Sequence, residues 1–379
     1  MWLESPSIHQ APLVAALARG WGGEVVVVAE RDVSERRRQL GWERADFSPA
    51  RLVVAPTRRQ RASILAAGDC ARTVHVFSGL HAYPETYWTL RRAAATCARV
   101  GIYAERPAND HSAKGLARRA RYRLQALRWR RRLDFVLATG STGVEWYRAR
   151  GFREESLFHF GYFTEPRDGV DGLDEGVLHS GGAAELLFVG QLIPRKGLDL
   201  LLRALGPLGT RSWRLNVVGR GPQEEEYRAL AAELGLGERV RWLGALPNAQ
   251  VQPLMAGADM LVLPSRFDGW GAVTNEALMA GTPVVVSDAC GASDLVRRDD
   301  AGRVVAAGSV ESLSAGLAGM LGKGRVDAGR RREVREWARG AISPEAAAEY
   351  LAEILSGGEG RGARPRPPWH PPARSGPGA

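Results

Sequence analysis

Short runs of β-branched and aliphatic residues alternate with stretches of helical periodicity along almost the whole chain. Such alternation predicts parallel sheets flanked by helices, because strands buried on both faces read as continuous apolar runs rather than as every second residue. In the first half the pattern predicts strands at 2–4, 25–29, 52–55, 73–77, 100–104 and 135–138. The second half repeats the scheme at 186–190, 214–219, 240–244, 260–264, 283–287 and 303–306, with a helix-length segment between each pair. Six strands and five crossovers describe a Rossmann-like domain. Ser343, followed by Pro344 and Glu345, signals a last helix that runs to about Leu355, where Gly357 and Gly358 stop it.

At 379 residues and 41.1 kDa the chain is too long for one ordinary core and suits two domains. The expected boundaries are a first Rossmann-like domain at 1–165, an Asp- and Gly-rich linker at 166–184, a second Rossmann-like domain at 185–342, a helix at 343–356, and a tail at 357–379. Gly and Pro make up about half of that tail, so it is expected to be disordered. The 45% hydrophobic and 25% charged composition is that of a globular protein and excludes general disorder. No apolar stretch approaches the ~18 residues of a membrane helix, and Met1 leads into Trp-Leu-Glu-Ser-Pro rather than a leader peptide. Cys70, Cys97 and Cys290 are few and far apart in the sequence, which argues against a disulfide framework or zinc cluster and for a reducing cytoplasm.

Open α/β sheets bind ligands beyond the carboxyl ends of their strands, so two such domains facing each other across a cleft direct attention to the strand-to-helix loops. After 186–190 the chain reads Gln191 to Gly197, with Arg195 and Lys196 just before a helical stretch, Leu198 to Leu205. A helix amino terminus favours phosphate through its free N–H groups, and a guanidinium and an ammonium add charge-assisted bonds. A diphosphate is the natural guest, although the pair taken alone reads equally as solvated surface charge. After 260–264 comes Arg266-Phe267-Asp268-Gly269-Trp270-Gly271-Ala272, and Glu276 lies one turn inside the next helix. Gly269 and Gly271 permit close backbone approach to a ligand. Glu276 can accept from two vicinal hydroxyls such as those of a ribose, and Asp268 from those of a hexose. Singly, Asp268 is also an ordinary turn residue and Glu276 an ordinary surface charge.

Together these segments resemble the donor-binding domain of retaining, nucleotide-sugar-dependent glycosyltransferases of the GT-B fold, family 4, the "group 1" type. The resemblance rests on Val-Gly-Gln-Leu-Ile-Pro-Arg-Lys-Gly (189–197), Val-Val-Gly-Arg-Gly-Pro (217–222), Val-Arg-Trp-Leu-Gly (240–244) and the stretch 263–285. It implies that Arg195 and Lys196 contact the donor diphosphate, that Glu276 holds the ribose, and that Asp268 faces the sugar. Gly190, Gly269, Trp270, Gly271 and Ala272 would line the donor site, and the base would lie near Arg241 and Leu243. Asp268 stands where the family usually has Glu and reaches one methylene less far. Gln191 stands where an Arg is frequent, and Arg195 would substitute for it.

The first half resembles the family only in its order of elements. Read from residues, the acceptor-side candidates are His9, His81 and Glu105, all after strand ends and of the right kind for proton transfer or hydroxyl orientation. Each also has a plainer reading: service to the first helix for His9, a turn for His81, and pairing with Arg106 for Glu105. No Asp-x-Asp or metal-ligand spacing occurs, so fixed positive charge is expected to carry the leaving group, with no metal and no cofactor beyond the nucleotide-sugar donor. The acceptor implied is lipid-linked or a saccharide, in cell-surface polysaccharide or glycolipid assembly.

The net charge of +10 points to anionic partners. Segment 114–132 carries nine Lys and Arg and no acid, with Leu116, Ala120, Leu124 and Leu127 on one helical face. That face is expected to serve the domain's own core; the other reading rests the helix on an anionic membrane, with the enzyme peripheral at the inner face. A nucleotide-sugar epimerase or a phosphorylase would share the fold. A dehydrogenase is disfavoured by the missing third glycine at Gly219-Arg220-Gly221-Pro222-Gln223-Glu224. A nucleic-acid-binding protein would explain the charge, but no helix-turn-helix, zinc or aromatic-basic RNA-binding motif appears, and nucleic acid is not expected as a partner.

Overall fold

A computed structural model describes residues 1–35, 44–80, 83–108, 112–165, 182–209, 211–357 and 364–371. The predicted linker therefore lies, except for 182–184, outside the described residues, and so does His81. The chain divides into two compact units, Met1–Glu165 with Asp268–Ala272 and Leu351–Pro365, and Pro166–Phe267 with Val273–Tyr350 and Arg366–Ala379.

Among the described residues the first unit holds seven parallel strands: β1 (Trp2–Leu3), β2 (Val26–Ala29), β3 (Arg51–Val54), β4 (Val74–Ser78), β5 (Arg99–Ala104), β6 (Phe135–Thr139) and β7 (Leu157–Phe160), in the order β3-β2-β1-β4-β5-β6-β7. Six correspond to expected strands. The seventh, β7, is an edge strand interrupted by His159 and preceded by the charged turn Glu154–Ser156, which hides its apolar run. It pairs with β6 in register, Val136 opposite Leu157 through Thr139 opposite Phe160. Continuous apolar strands bury a core of Trp2, Phe77, Ile102, Val136 and Trp129.

The second unit holds β8 (Ala184–Val189), β9 (Trp213–Val218), β10 (Val240–Gly244), β11 (Met260–Leu263), β12 (Val284–Ser287) and β13 (Gly302–Val305), all parallel, in the order β10-β9-β8-β11-β12-β13. All six match the expected strands. The helix Leu198–Leu205 spans the expected residues and buries six of its eight against the sheet. The last expected helix is Pro344–Leu355. In each unit the strand order reverses beside the first strand, between β1 and β4 and between β8 and β11, which is where doubly wound sheets leave room for a ligand.

Three expectations are corrected. Cys70 and Cys97, far apart in the sequence, have Cα atoms 5.6 Å apart and joined sulfurs; the turn Cys70–Arg72 and the chain leading into β5 bring them together, so separation along the chain does not keep these two apart. The tail is not uniformly without order: Trp369 is buried, its ring 5.7 Å from that of Tyr350, because one large indole outweighs the prolines around it. The leucine face of the 114–132 segment does not enter the core. In the helix Ala113–Trp129 the buried residues are Gly115, Gln125, Ala126 and Trp129, whereas Leu116, Leu124 and Leu127 are exposed. Among the described residues no helix is long and apolar enough to cross a membrane.

Candidate active site

In the second unit the loops at the carboxyl edge of the sheet are tied into one cradle. Gly190 N–H donates to the Val218 carbonyl at 3.0 Å, Leu192 N–H to Arg220 at 3.0 Å, and Gly219 N–H to Gly244 at 2.8 Å. Gly219 has a φ of +138°, and a Cβ there would overlap the Gly190 carbonyl oxygen, so the close approach of the loops after β8 and β9 requires glycine. Pro194–Lys196 form a single 3₁₀ turn that delivers Arg195 and Lys196 to the start of Leu198–Leu205. The Lys196 stem runs beside Gly190, whose Cβ position lies 3.7 Å from the Lys196 Cδ. Arg195 Nη1 donates to the Phe267 carbonyl at 3.0 Å, and Arg266 N–H donates back to the Arg195 carbonyl at 2.8 Å.

Arg266 fixes the same corner from below. It donates to the Pro194 carbonyl at 2.7 Å and bidentately to Asp199 at 2.7 and 2.6 Å. Burial pushes the Asp199 carboxyl up, but the Arg266 hydrogen bonds and charge outweigh it and hold the group below its usual range. Glu276 lies half-buried on the helix Ala272–Met279, next to Asn275, whose amide donates to the Ile342 carbonyl at 3.2 Å and pins that helix. On β10, Arg241 is exposed and Leu243 half-buried.

The predicted donor set does not fall in one unit. Gly190, Arg195, Lys196, Arg241, Leu243 and Glu276 belong to the second, whereas Asp268, Gly269, Trp270, Gly271 and Ala272 pack with the first. The reason is Trp270. Its ring lies against Gly161, where a Cβ would overlap it, and its indole N–H donates to the Tyr162 carbonyl at 3.1 Å. The Gly269 carbonyl accepts from the Thr139 hydroxyl at 3.0 Å.

The first unit also contains a cavity of about 530 Å³ at the carboxyl ends of β1, β4 and β5. The segments after those strands converge there, with Ser5, Ser7 and His9 after β1, Gly79 and Leu80 after β4, and Glu105 after β5. Sequence reasoning missed other parts of the wall, above all Tyr83, Tyr103, Tyr122, Tyr147 and Tyr162, with Glu4. Each tyrosine sits on a different element, so no local spacing announces them.

Hydrogen bonds set the polarity of this cavity. Tyr162 donates to the Glu105 carboxylate at 2.7 Å, Tyr83 to Glu4 at 2.7 Å, and Tyr103 to the Gly161 carbonyl at 2.8 Å. Glu4 is also paired with Arg31. Burial first, then the neighbouring Glu105 charge, pushes the Tyr162 phenol well above its ordinary range; burial likewise dominates at Tyr103 and Tyr147. These phenols stay protonated at neutral pH and serve as hydroxyl donors and acceptors, not as bases. His9 stands 6.2 Å from the Tyr162 ring. Glu105 thus engages Tyr162, an interaction absent from either sequence reading. Aromatic faces, phenol hydroxyls and carboxylates in one cavity suit a polyhydroxylated guest.

Residues 174–341 match the family model described as glycosyl transferases group 1. Among curated proteins, the chain is similar to the GDP-mannose-dependent α-(1-6)-phosphatidylinositol monomannoside mannosyltransferase of Mycolicibacterium smegmatis, 32% identical over 176 residues, 44% of this chain and 46% of that protein. It is also similar to the 2-deoxystreptamine glucosyltransferase of Streptomyces kanamyceticus, 32% identical over 158 residues, 41% of each chain. The matched part thus spans less than half the length of these relatives. Among solved structures, Anabaena HepE in complex with UDP superimposes with a TM-score of 0.68 at 19% identity, covering 94% of this chain and 99% of that one. The lipopolysaccharide outer core galactosyltransferase WaaB gives 0.68 at 14% identity, covering 94% and 100%. The fold is that of the GT-B glycosyltransferases.

Proposed function

We propose that this protein moves a glycosyl group from a nucleotide-sugar to an acceptor hydroxyl, with retention of configuration, and the match of residues 174–341 to the model of group 1 glycosyl transferases supports that reading. The observation that carries the reading is the cradle in the second unit. Two cations on a 3₁₀ turn stand at a helix amino terminus, fixed by Arg195 to Phe267 and by Arg266 to Asp199. Such a place favours a diphosphate and the negative charge that develops when it leaves.

In the proposed reaction the bond between the anomeric carbon and the donor phosphate oxygen breaks, and the acceptor oxygen bonds to that carbon from the same face. The departing phosphate takes the acceptor proton, so no separate base is needed. Lys196 and Arg195 stabilise the phosphate, Glu276 holds the ribose, and Asp268 faces the sugar. No metal enters this scheme, because fixed cations do its work. The tyrosine-walled cavity of the first unit supplies the acceptor site, which favours transfer over epimerisation, a reaction that has no second substrate to seat. Placement in the cytoplasm and a role in polysaccharide or glycolipid assembly follow from the same reading, since relatives named above act on glycolipid and saccharide acceptors.

The test is transfer itself. Purified protein is supplied with UDP- and GDP-sugars and a panel of polyol and glycolipid acceptors, and release of the nucleoside diphosphate is measured. Acceptor-dependent release supports transfer. Interconversion of the donor sugar without an acceptor would support the epimerase instead.

A further inference from the structure

We propose that the exposed face of the helix Ala113–Trp129 docks on an anionic membrane surface. The helix is capped by Ser112, whose hydroxyl accepts from Gly115 N–H at 3.1 Å, and is anchored by Trp129, which is fully buried with its ring 6.1 Å from that of Tyr87. Its opposite side is unusual. Leu116, Leu124 and Leu127 are 62%, 67% and 64% exposed, and among the described residues Val304 is the one other large hydrophobic so exposed.

Helical geometry groups these leucines. At about 100° per residue, Leu116, Leu127, Ala120 and Leu124 fall within an arc of roughly 80° that points away from Gln125, Ala126 and Trp129. Arg121 and Arg128 border the stripe on one side, and Arg119 and Arg123 on the other. An apolar strip edged on both sides by cations, with no acid along 114–132, is the pattern of a helix lying in the plane of a bilayer interface, leucines in the acyl boundary and arginines at the lipid phosphates.

The charge border selects the occupant. A nucleic acid would be met by cations at the centre of the face, not by leucines there. A second copy of this chain would bring its own arginines against these in a two-fold contact. An anionic bilayer satisfies both the strip and its border. The same helix contributes Arg121 and Tyr122 to the wall of the first unit's cavity, so docking would hold that cavity close to headgroups. The proposal does not rest on the transfer reading, because binding is read without donor or acceptor.

The experiment is vesicle flotation of the full chain. One set of vesicles is phosphatidylcholine alone, and the other is three parts phosphatidylcholine to one part phosphatidylglycerol. Binding at least ~10-fold stronger to the anionic set, weakened by salt, is expected. The triple variant Leu116→Gln, Leu124→Gln, Leu127→Gln should lose that binding by a further ~10-fold, and Arg123→Gln with Arg128→Gln should lower it while leaving any neutral-vesicle binding unchanged. These side chains are exposed, so an unchanged far-ultraviolet spectrum and melting temperature will show that the fold is kept. As an independent readout, Leu124→Trp should show a blue-shifted emission on anionic vesicles. Equal binding to both sets, or full binding by the leucine variant, would overturn the proposal. So would a leucine variant that only turns a dimer into a monomer, or retention by an oligonucleotide in place of vesicles.

Discussion

Arg195 Nη1 lies 3.0 Å from the Phe267 carbonyl oxygen and donates to it, joining the loop after β8 to the loop after β11. One guanidinium nitrogen is thus committed to backbone, which orients the fork, while the Lys196 stem runs beside Gly190. We expect Lys196→Ala to lower kcat/KM by about 10²–10³-fold, the loss typical of removing one transition-state charge contact. Arg195→Ala should cost less than Lys196→Ala, and steady-state kinetics at varied donor will check the order. Equal turnover of wild type and Lys196→Ala contradicts its role.

Glu276 is half-buried on a helix pinned by Asn275. Glu276→Ala should therefore nearly abolish transfer without unfolding the chain, and Glu276→Gln, which keeps one acceptor oxygen, should retain more activity. Activity assays paired with thermal melts check both halves of that statement. Wild-type turnover in Glu276→Ala would remove the residue from the donor site.

Trp270 is 2% exposed, and its indole lies against Gly161 with Phe163 at 6.3 Å between ring centres. Trp270→Ala should cost about 3–5 kcal/mol of stability. Trp270→Phe, which fills most of the space but cannot donate to Tyr162, should cost less, on the order of 1–2 kcal/mol. Urea unfolding followed by circular dichroism measures both, and a loss below 1 kcal/mol in the alanine variant would contradict the packing described.

His75 accepts the Trp2 indole N–H at Nδ1, 3.4 Å away, and burial lowers its pKa to about 4. The unfolded imidazole titrates near pH 6.5. Between those values the unfolded chain binds the extra proton, so stability is fully present above pH 6.5 and falls as pH drops toward 4, by an amount on the order of 2–3 kcal/mol. His75→Gln, which keeps an acceptor and does not titrate, should flatten that slope in chemical denaturation at pH 4.5, 5.5 and 7.

Among the described residues, twelve of the thirteen strands are visible as apolar runs, because parallel sheets bury both faces of each strand. β7 escapes because His159 and a charged turn break its run. Periodicity identified the Leu116, Ala120, Leu124, Leu127 face but not its direction, since a stripe on a helix reads the same whether it meets a core or open surface; Trp129 and Ala126 filled the core instead. The turns after β8 and β9 are legible because the close approach of Gly219 to the Gly190 carbonyl demands glycine. The tyrosines of the first unit's cavity, the approach of Cys70 to Cys97 and the burial of Trp369 all depend on elements distant in sequence meeting in space, and no local pattern encodes such meetings.

The central claim is that the cradle around Lys196 grips a nucleoside diphosphate. Thermal melts of wild type and Lys196→Ala with UDP, GDP, ADP and TDP test it most directly, because a ligand bound to the native state must raise its melting temperature. The account predicts one clear stabiliser of the wild type whose saturable shift is lost in the variant. No shift with any of the four, or an equal shift in both proteins, contradicts it.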